Sequence, residues 1–284
     1  MTQLLRQRIP LQAAIPLRQE VIVFPKDQNN RPVARTSTGK FIDTTGSTTD
    51  GIQEALNELE ADGGICRIMP GDYTFNGSRA TYNSNKPISI LGSGWESKLT
   101  WVVAIDNPAT DKGMLNISGT SDANLCERVV LRDLAFDFGA NRDTVAVEGQ
   151  RGVNIYRANN IRVEGCYFKG SYMENLGLNN FGATGAYALV TGNYFFDCSQ
   201  NSCNPNSFNT IISGNKFKHG VTAIEAGRYY LIVADNDFDD YKQAAIRLSS
   251  IDQFTITGNR IRDCVTDSTG LVSPLGSIPQ FRTV

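Results

Sequence analysis

No apolar run in this 284-residue chain approaches the length needed to cross a membrane, so no membrane span is expected. Histidine is nearly absent: His219 stands alone, which excludes a two-histidine metal site and leaves little room for histidine-based nucleophilic catalysis. The six cysteines include no CxxC pair, so neither a zinc ribbon nor a dithiol redox motif is indicated. Cys198 and Cys264 follow Phe-Asp and Arg-Asp and read as small buried residues rather than a disulfide framework. Excess charge is also lacking, with 27 Lys and Arg against 29 Asp and Glu, so nothing calls for nucleic acid as a partner. The first residues, Met1–Arg8, lack the apolar segment of a secretory signal. The expectation is synthesis in the cytoplasm and a virion or, after lysis, extracellular location.

What is abundant is repetition. A phrase of six residues recurs at Leu131–Phe136, Val163–Phe168, Val190–Phe195, Ile212–Phe217, Val233–Phe238 and Ile256–Ile261. Its fourth position runs Leu134, Cys166, Asn193, Asn215, Asn236, Asn259, at spacings of 32, 27, 22, 21 and 23 residues. A period in this range marks stacked repeats. An aliphatic start, a Gly-Asn or Asp-Asn bend and a closing aromatic read as two short strands joined by a sharp corner. Stacking such coils predicts a ladder of Phe136, Phe168, Phe195, Phe217, Phe238 and Ile261, and a parallel ladder of asparagines.

Before the repeat, Thr49 or Asp50 suits a helix N-cap, and Ile52, Ala55, Leu56 and Leu59 share one helical face. Gly63-Gly64 ends that helix, which is expected to cover the open end of the solenoid. Residues 1–40 carry seven Lys or Arg against Glu20 and Asp27, about +5 against about −7 for the remainder. They read as a basic arm for attachment to a larger viral or protein assembly. Residues 41–264 read as the solenoid, 106–113 as a loop within it, and 265–284 as a C-terminal capping tail.

Asp43-Thr44-Thr45-Gly46, Asp50, Ala55 and Gly63-Gly64, followed by Pro70, Gly71 and Tyr73, resemble the N-terminal signature of pectate-lyase-like proteins, and the Gly-Asn-x-Phe coils are similar to theirs. The resemblance implies an all-β fold, a right-handed parallel β-helix with three strands per coil, preceded by a short capping helix. It implies no particular activity, because that superfamily holds polysaccharide lyases, hydrolases, epimerases, phage tailspikes and inert virion parts.

In that superfamily the strand before the repeated phrase lines the sugar groove. Alternation there sends Ser118, Tyr156, Asn179, Asn204, Glu225 and Arg247 outward, expected as one column about 4.8 Å apart. Tyr156, Asn179 and Asn204 are the candidate glycan contacts, and Glu225 with Arg247 the candidate acid–base pair. Glu174 is near enough in sequence to approach the groove. Asp235, Asp237, Asp239 and Asp240 read as solvated turn residues. No metal or other cofactor is implied. Two function classes stand side by side: a virion or tail-associated homotrimer that binds and in one version cleaves a surface polysaccharide, and a free lyase, hydrolase or epimerase. A purely structural virion subunit is the third.

Overall fold

The computed structural model describes residues 19–29, 31–103, 113–139, 151–179, 186–206, 209–227, 230–249, 251 and 253–264. The expected capping tail, almost all of the loop at 106–113 and residues 1–18 of the basic arm lie outside the described residues.

Each repeated phrase begins a strand on one face of a prism, here face A. Its parallel strands are Glu20–Phe24, Gly64–Ile68, Ile88–Leu91, Cys126–Arg132, Ala158–Glu164, Ala188–Thr191, Thr210–Ser213, Tyr230–Ala234 and Gln253–Thr257. Each advances the chain by one coil, nine among the described residues. Face B carries the aromatic end of the phrase, and face C the strand that follows it. In the earlier coils these faces are separate strands, as in Tyr167–Lys169 and Glu174–Asn179. In Tyr194–Asn206, Lys216–Gly227 and Asp237–Ser249 they fuse into one bent strand. The architecture is an all-β parallel solenoid, a β-helix.

Two left-handed residues per coil make the corners. The first is the residue before the fourth position of the phrase: Gly165, Gly192, Gly214 and Gly258 at φ +65°, with Asp133 and Asp235 at φ 57° and 56°. The asparagine itself is not in that region. The second corner is Asp197, His219, Asp240 and Asp263, φ between 48° and 60°, where the preceding coil has Gly170. A Cβ on Gly258 would lie 2.1 Å from Asp235 Oδ1, so an aspartate corner requires glycine in the next coil.

Both expected ladders form. Phe136, Phe168, Phe195, Phe217 and Phe238 stack at centroid separations of 5.1, 4.9, 4.7 and 4.9 Å. Ile261 keeps the register opposite Phe238 but is 42% exposed on the last described coil, so it is not an interior rung. In the asparagine ladder, Asn193 donates from its backbone N–H and its Nδ2 to Asn215 Oδ1, at 2.9 and 3.0 Å. Asn215 does the same to Asn236, and Asn236 to Asn259. The second Nδ2 proton reaches back to a carbonyl of the preceding coil, Asn215 to Val190 and Asn236 to Ile212. The ladder amides of Asn193, Asn215 and Asn236 are thereby matched, which removes the cost of placing them in the core.

The helix Ile52–Leu59 buries Ile52, Ala55, Leu56 and Leu59 against the first coils, as a cap should. Thr49 Oγ1 accepts the Gln53 N–H at its first turn. Asp50 does not cap; its carboxylate accepts Thr74 N–H and hydroxyl and pairs with Lys26 at 3.2 Å.

The solenoid starts earlier than residue 41. Glu20–Phe24 pairs in parallel with Gly64–Ile68, and Val21 and Val23 are fully buried. Val33–Thr36 and Phe41–Ile42 add to it antiparallel, ending face A. The apolar run Val21–Phe24 reads as a strand in the sequence, but the basic residues around it pointed to an arm rather than to the first coil.

The six cysteines are free, and five are buried. Cys198 shares a rung position with Gly220 and Tyr241 and is buried, as expected. Burial pushes the thiols of Cys66, Cys126 and Cys166 up to about 12, and that of Cys198 to about 11. A raised folded pKa means stabilisation that is whole below the ordinary thiol value and lost as pH climbs toward 11–12.

Two outcomes are expected. Phe217→Ala lowers stability by about 3–5 kcal/mol through an unfilled cavity, and Asn215→Ala by at least about 2 kcal/mol by leaving Asn193 donors unmatched. Chemical denaturation reads both, and an unchanged midpoint in either contradicts the ladder. A thiol reagent at pH 8 should label half-exposed Cys264 first and the other five only on unfolding; rapid labelling of Cys166 in the native protein would contradict its burial.

Candidate functional site

Face C turns a row of polar side chains outward, but in two columns rather than one. Strand pairing sets Asn116, Asn154, Gly177, Asn204, Glu225 and Arg247 in the first. Ser118, Tyr156, Asn179, Asn206, Gly227 and Ser249 make the second. The single column expected from sequence is therefore corrected: Tyr156 and Asn179 lie two residues along the strand from Asn204, Glu225 and Arg247. A slip of two keeps every side chain on the outer face, so face assignment survives while adjacency changes.

The two columns are joined by a polar cluster. Gly177 has no side chain, and the Glu174 carboxylate occupies that space, with Oε2 2.4 Å from where a Cβ would stand. Glu174 pairs with Arg151 at 2.8 Å and accepts Asn204 Nδ2 at 2.6 Å. Asn179 donates to Asn154 Oδ1 at 3.0 Å, and Asn206 to Asn179 Oδ1 at 3.4 Å. Glu174, Asn154 and Asn179 are 2%, 3% and 7% exposed, so this part of the face is dry. Toward the last coils it opens, and there Glu225 and Arg247 pair at 3.5 Å with half of the arginine side chain exposed.

Tyr156 does not offer a bare ring. The Arg157 guanidinium lies 5.8 Å from its centroid and is itself held by Asp122 at 2.7 Å. A sugar stacking on Tyr156 would have to share that position.

Chemically, the face can hold hydroxyls and charge. Glu174 and Glu225 are separated by the Asn204 rung, roughly 10 Å at two strand spacings, beyond the separation a retaining glycosidase needs. Each is matched to an arginine, an arrangement suited to fixing charge rather than delivering a proton. Among the described residues no group of three His, Cys, Asp or Glu is placed to hold a metal ion. His219 lies at the face B to face C corner, its Nδ1 2.7 Å from Asp240 Oδ2 and its Nε2 3.6 Å from Asp197 Oδ1. Of the four aspartates expected to be solvated turn residues, Asp235 and Asp240 are exposed corner residues, while Asp237 and Asp239 pair with arginines. Asp237 meets Arg260 and Arg262, Asp239 meets Arg262, and Asp240 meets His219. The Arg260 hydrogen bond holds the Asp237 carboxyl below its ordinary value.

Sequence reading missed Arg151, Asn154 and Asn206 and left Glu174 unplaced. The signal was Gly177, an outward glycine in a polar column, which marks the space another side chain fills.

No protein-family model matches the chain, and no curated protein matches it. Among solved structures, a protein titled Geobacillus virus E2 ORF18 is similar at 13% identity and a TM-score of 0.44, covering 78% of this chain and 58% of that one. The chain thus spans little more than half of that protein. YbhC of Escherichia coli is similar at 10% identity and a TM-score of 0.47, with 89% and 74% covered. The mannuronan C-5 epimerase AlgE4 A-module of Azotobacter vinelandii is similar at 14% identity and a TM-score of 0.39, with 77% and 75% covered.

Glu174→Gln should destabilise the fold by about 3–5 kcal/mol, because Arg151, with 14% of its side chain exposed, keeps its charge and loses its partner. Glu225→Gln, on the open end, should cost under about 1 kcal/mol. Equal losses in denaturant titrations would mean that the dry cluster is not where the ion pair places it.

Proposed function

We propose that this chain is a glycan-binding β-helix of a virion or tail assembly, and that face C is its binding face. The observation that carries the reading is the pair of outward columns, amides, a carboxylate and a guanidinium repeating at the coil spacing of about 4.8 Å. Asn206, half-buried at the edge of the dry cluster, offers a donor and an acceptor together, which is what sugar hydroxyls require, and Asn204 and Asn179 hold the row beside it. Glu225 and Arg247 stand at the open end, where a ligand reaches them, and Tyr156 borders the dry cluster. The arrangement favours recognition over turnover, since each carboxylate is already matched to an arginine.

A glycan array on the full chain, followed by Asn204→Ala, Glu225→Gln and Arg247→Ala, tests this. Expected are binding to one class of polysaccharide, a loss of about tenfold or more in Asn204→Ala and Arg247→Ala, and no released reducing ends or unsaturated products. Turnover that disappears in Glu225→Gln with binding retained would move the protein to the enzyme class. Absence of any glycan binding would leave a structural subunit.

Attachment to the assembly is assigned to residues 1–18, which carry three arginines and no acid. Deletion to residue 38, by contrast, would remove Val21 and Val23 from the core. A homotrimer suits the exposed Tyr187, Tyr230 and Ile232 on face A. Deleting residues 2–18 should leave the melting temperature unchanged and abolish incorporation into the particle; normal incorporation contradicts the assignment. Sedimentation equilibrium should give three times the chain mass, and a monomer contradicts the trimer.

A further inference from the structure

Face B carries a second outward arrangement, unrelated to the columns of face C. In register along it stand Tyr167, Tyr194, Lys216, Asp237 and Arg260, with Lys169, Phe196, Lys218, Asp239 and Arg262 beside them. Over the tyrosines lies Trp95, from the turn between Ile88–Leu91 and Ser97–Val103. Its ring centroid is 5.1 Å from Tyr167 and 6.0 Å from Tyr194, and its indole N–H donates to Gly165 O at 3.1 Å. One side of the indole is thus seated, yet the residue is 52% exposed. A fixed, half-exposed tryptophan on two tyrosines is a flat apolar platform and not a packing leftover.

The next coil places Lys216 opposite Tyr194 and Lys218 opposite Phe196, both exposed. The carboxylates one coil further, Asp237 and Asp239, are engaged by Arg260 and Arg262 from the far side. Neither lysine forms an ion pair among the described residues. A cleft of about 300 Å³ runs from Tyr194 across both lysines and then Asp237 and Asp239 to the arginines. The lysines are two residues apart on one strand, about 6.5–7 Å, so a single anionic group can meet both. The aspartate row beyond them closes the site to a second negative group.

We propose that Trp95, Tyr194, Lys216 and Lys218 form a binding site for an anionic saccharide, one sugar ring on the indole and one carboxylate or sulfate group between the two lysines. The apolar face of a pyranose matches the platform, and the charge sits about two coils from the indole, within the length of a disaccharide. A single charge bounded by aspartates does not suit the phosphate row of a nucleic acid.

The chain has two tryptophans, and Trp101 is buried, so indole fluorescence reports ligand at Trp95. The full chain is titrated with a uronate hexasaccharide, a sulfated hexasaccharide and an uncharged glucose hexasaccharide. The expected result is a saturable fluorescence change with at least one anionic probe and none with the uncharged one. The tighter of the two identifies the anion. Lys216→Ala with Lys218→Ala should weaken that probe about tenfold or more, and Trp95→Phe should remove the signal and weaken binding seen by calorimetry. Both variants are on the surface, and melting temperatures within a degree or two of the parent show that they fold. Asn204→Ala on face C should leave the affinity unchanged, which separates this site from the glycan face. No binding of either anionic probe, affinity unaffected by the lysine variant, or equal loss in Asn204→Ala overturns the proposal.

Discussion

Everything in this molecule depends on one bend. A single left-handed residue ahead of each ladder asparagine turns the chain from face A to face B, and it frees that asparagine to point inward. The inward amide then satisfies the backbone of its own corner and of the corner one coil away, so each coil fixes the height and rotation of the next. The phenylalanines two positions on are brought into stacking contact by the same registration. Because the inner surface is locked in this way, the outer surface is a lattice whose rows are set by strand pairing. Chemistry on faces B and C follows from which residues the sequence writes into fixed outward positions.

That coupling explains why the interior could be read from sequence and part of the exterior could not. The asparagine and phenylalanine positions recur at a nearly constant interval and announce themselves. The columns of face C are reached only after the second corner, and there the coils differ in length. Counting from Phe168 and from Phe195 pairs Asn179 with Asn206, as the strands do, but pairing between Tyr194–Asn206 and Lys216–Gly227 slips between Cys198 and Asn201, so the same count cannot place Glu225. The place of the N-terminal strand was missed for another reason: Val21–Phe24 is an apolar run, but it lies inside a stretch whose overall charge suggested an arm. Contacts far apart in sequence gave no local signal at all. Trp95 meets Gly165 seventy positions away, and Glu174 fills the space above Gly177 while holding Asn204.

Two faces with different chemistry result from one scaffold. Face C is amide-rich, dry in its middle and charged at its open end. Face B is aromatic beside Trp95, then cationic, then acidic, then cationic again, in successive rungs. A solenoid requires only that its outer side be wettable, and a random polar surface would meet that need. Seating a tryptophan on two tyrosines and burying an arginine–glutamate pair under an asparagine both exceed it. Neither feature contributes to the ladders that hold the coils together, and a buried ion pair is weak evidence for stability alone. These are the places where the outer surface is specified rather than merely solvated.

The most direct measurement of the central claim is a crystal structure of the chain soaked with an oligosaccharide selected on a glycan array. The account predicts sugar rings along face C, with hydroxyls on Asn206 and the chain running toward Glu225 and Arg247. Sugar bound only to face A, or face C unoccupied at a concentration that saturates binding in solution, would contradict it.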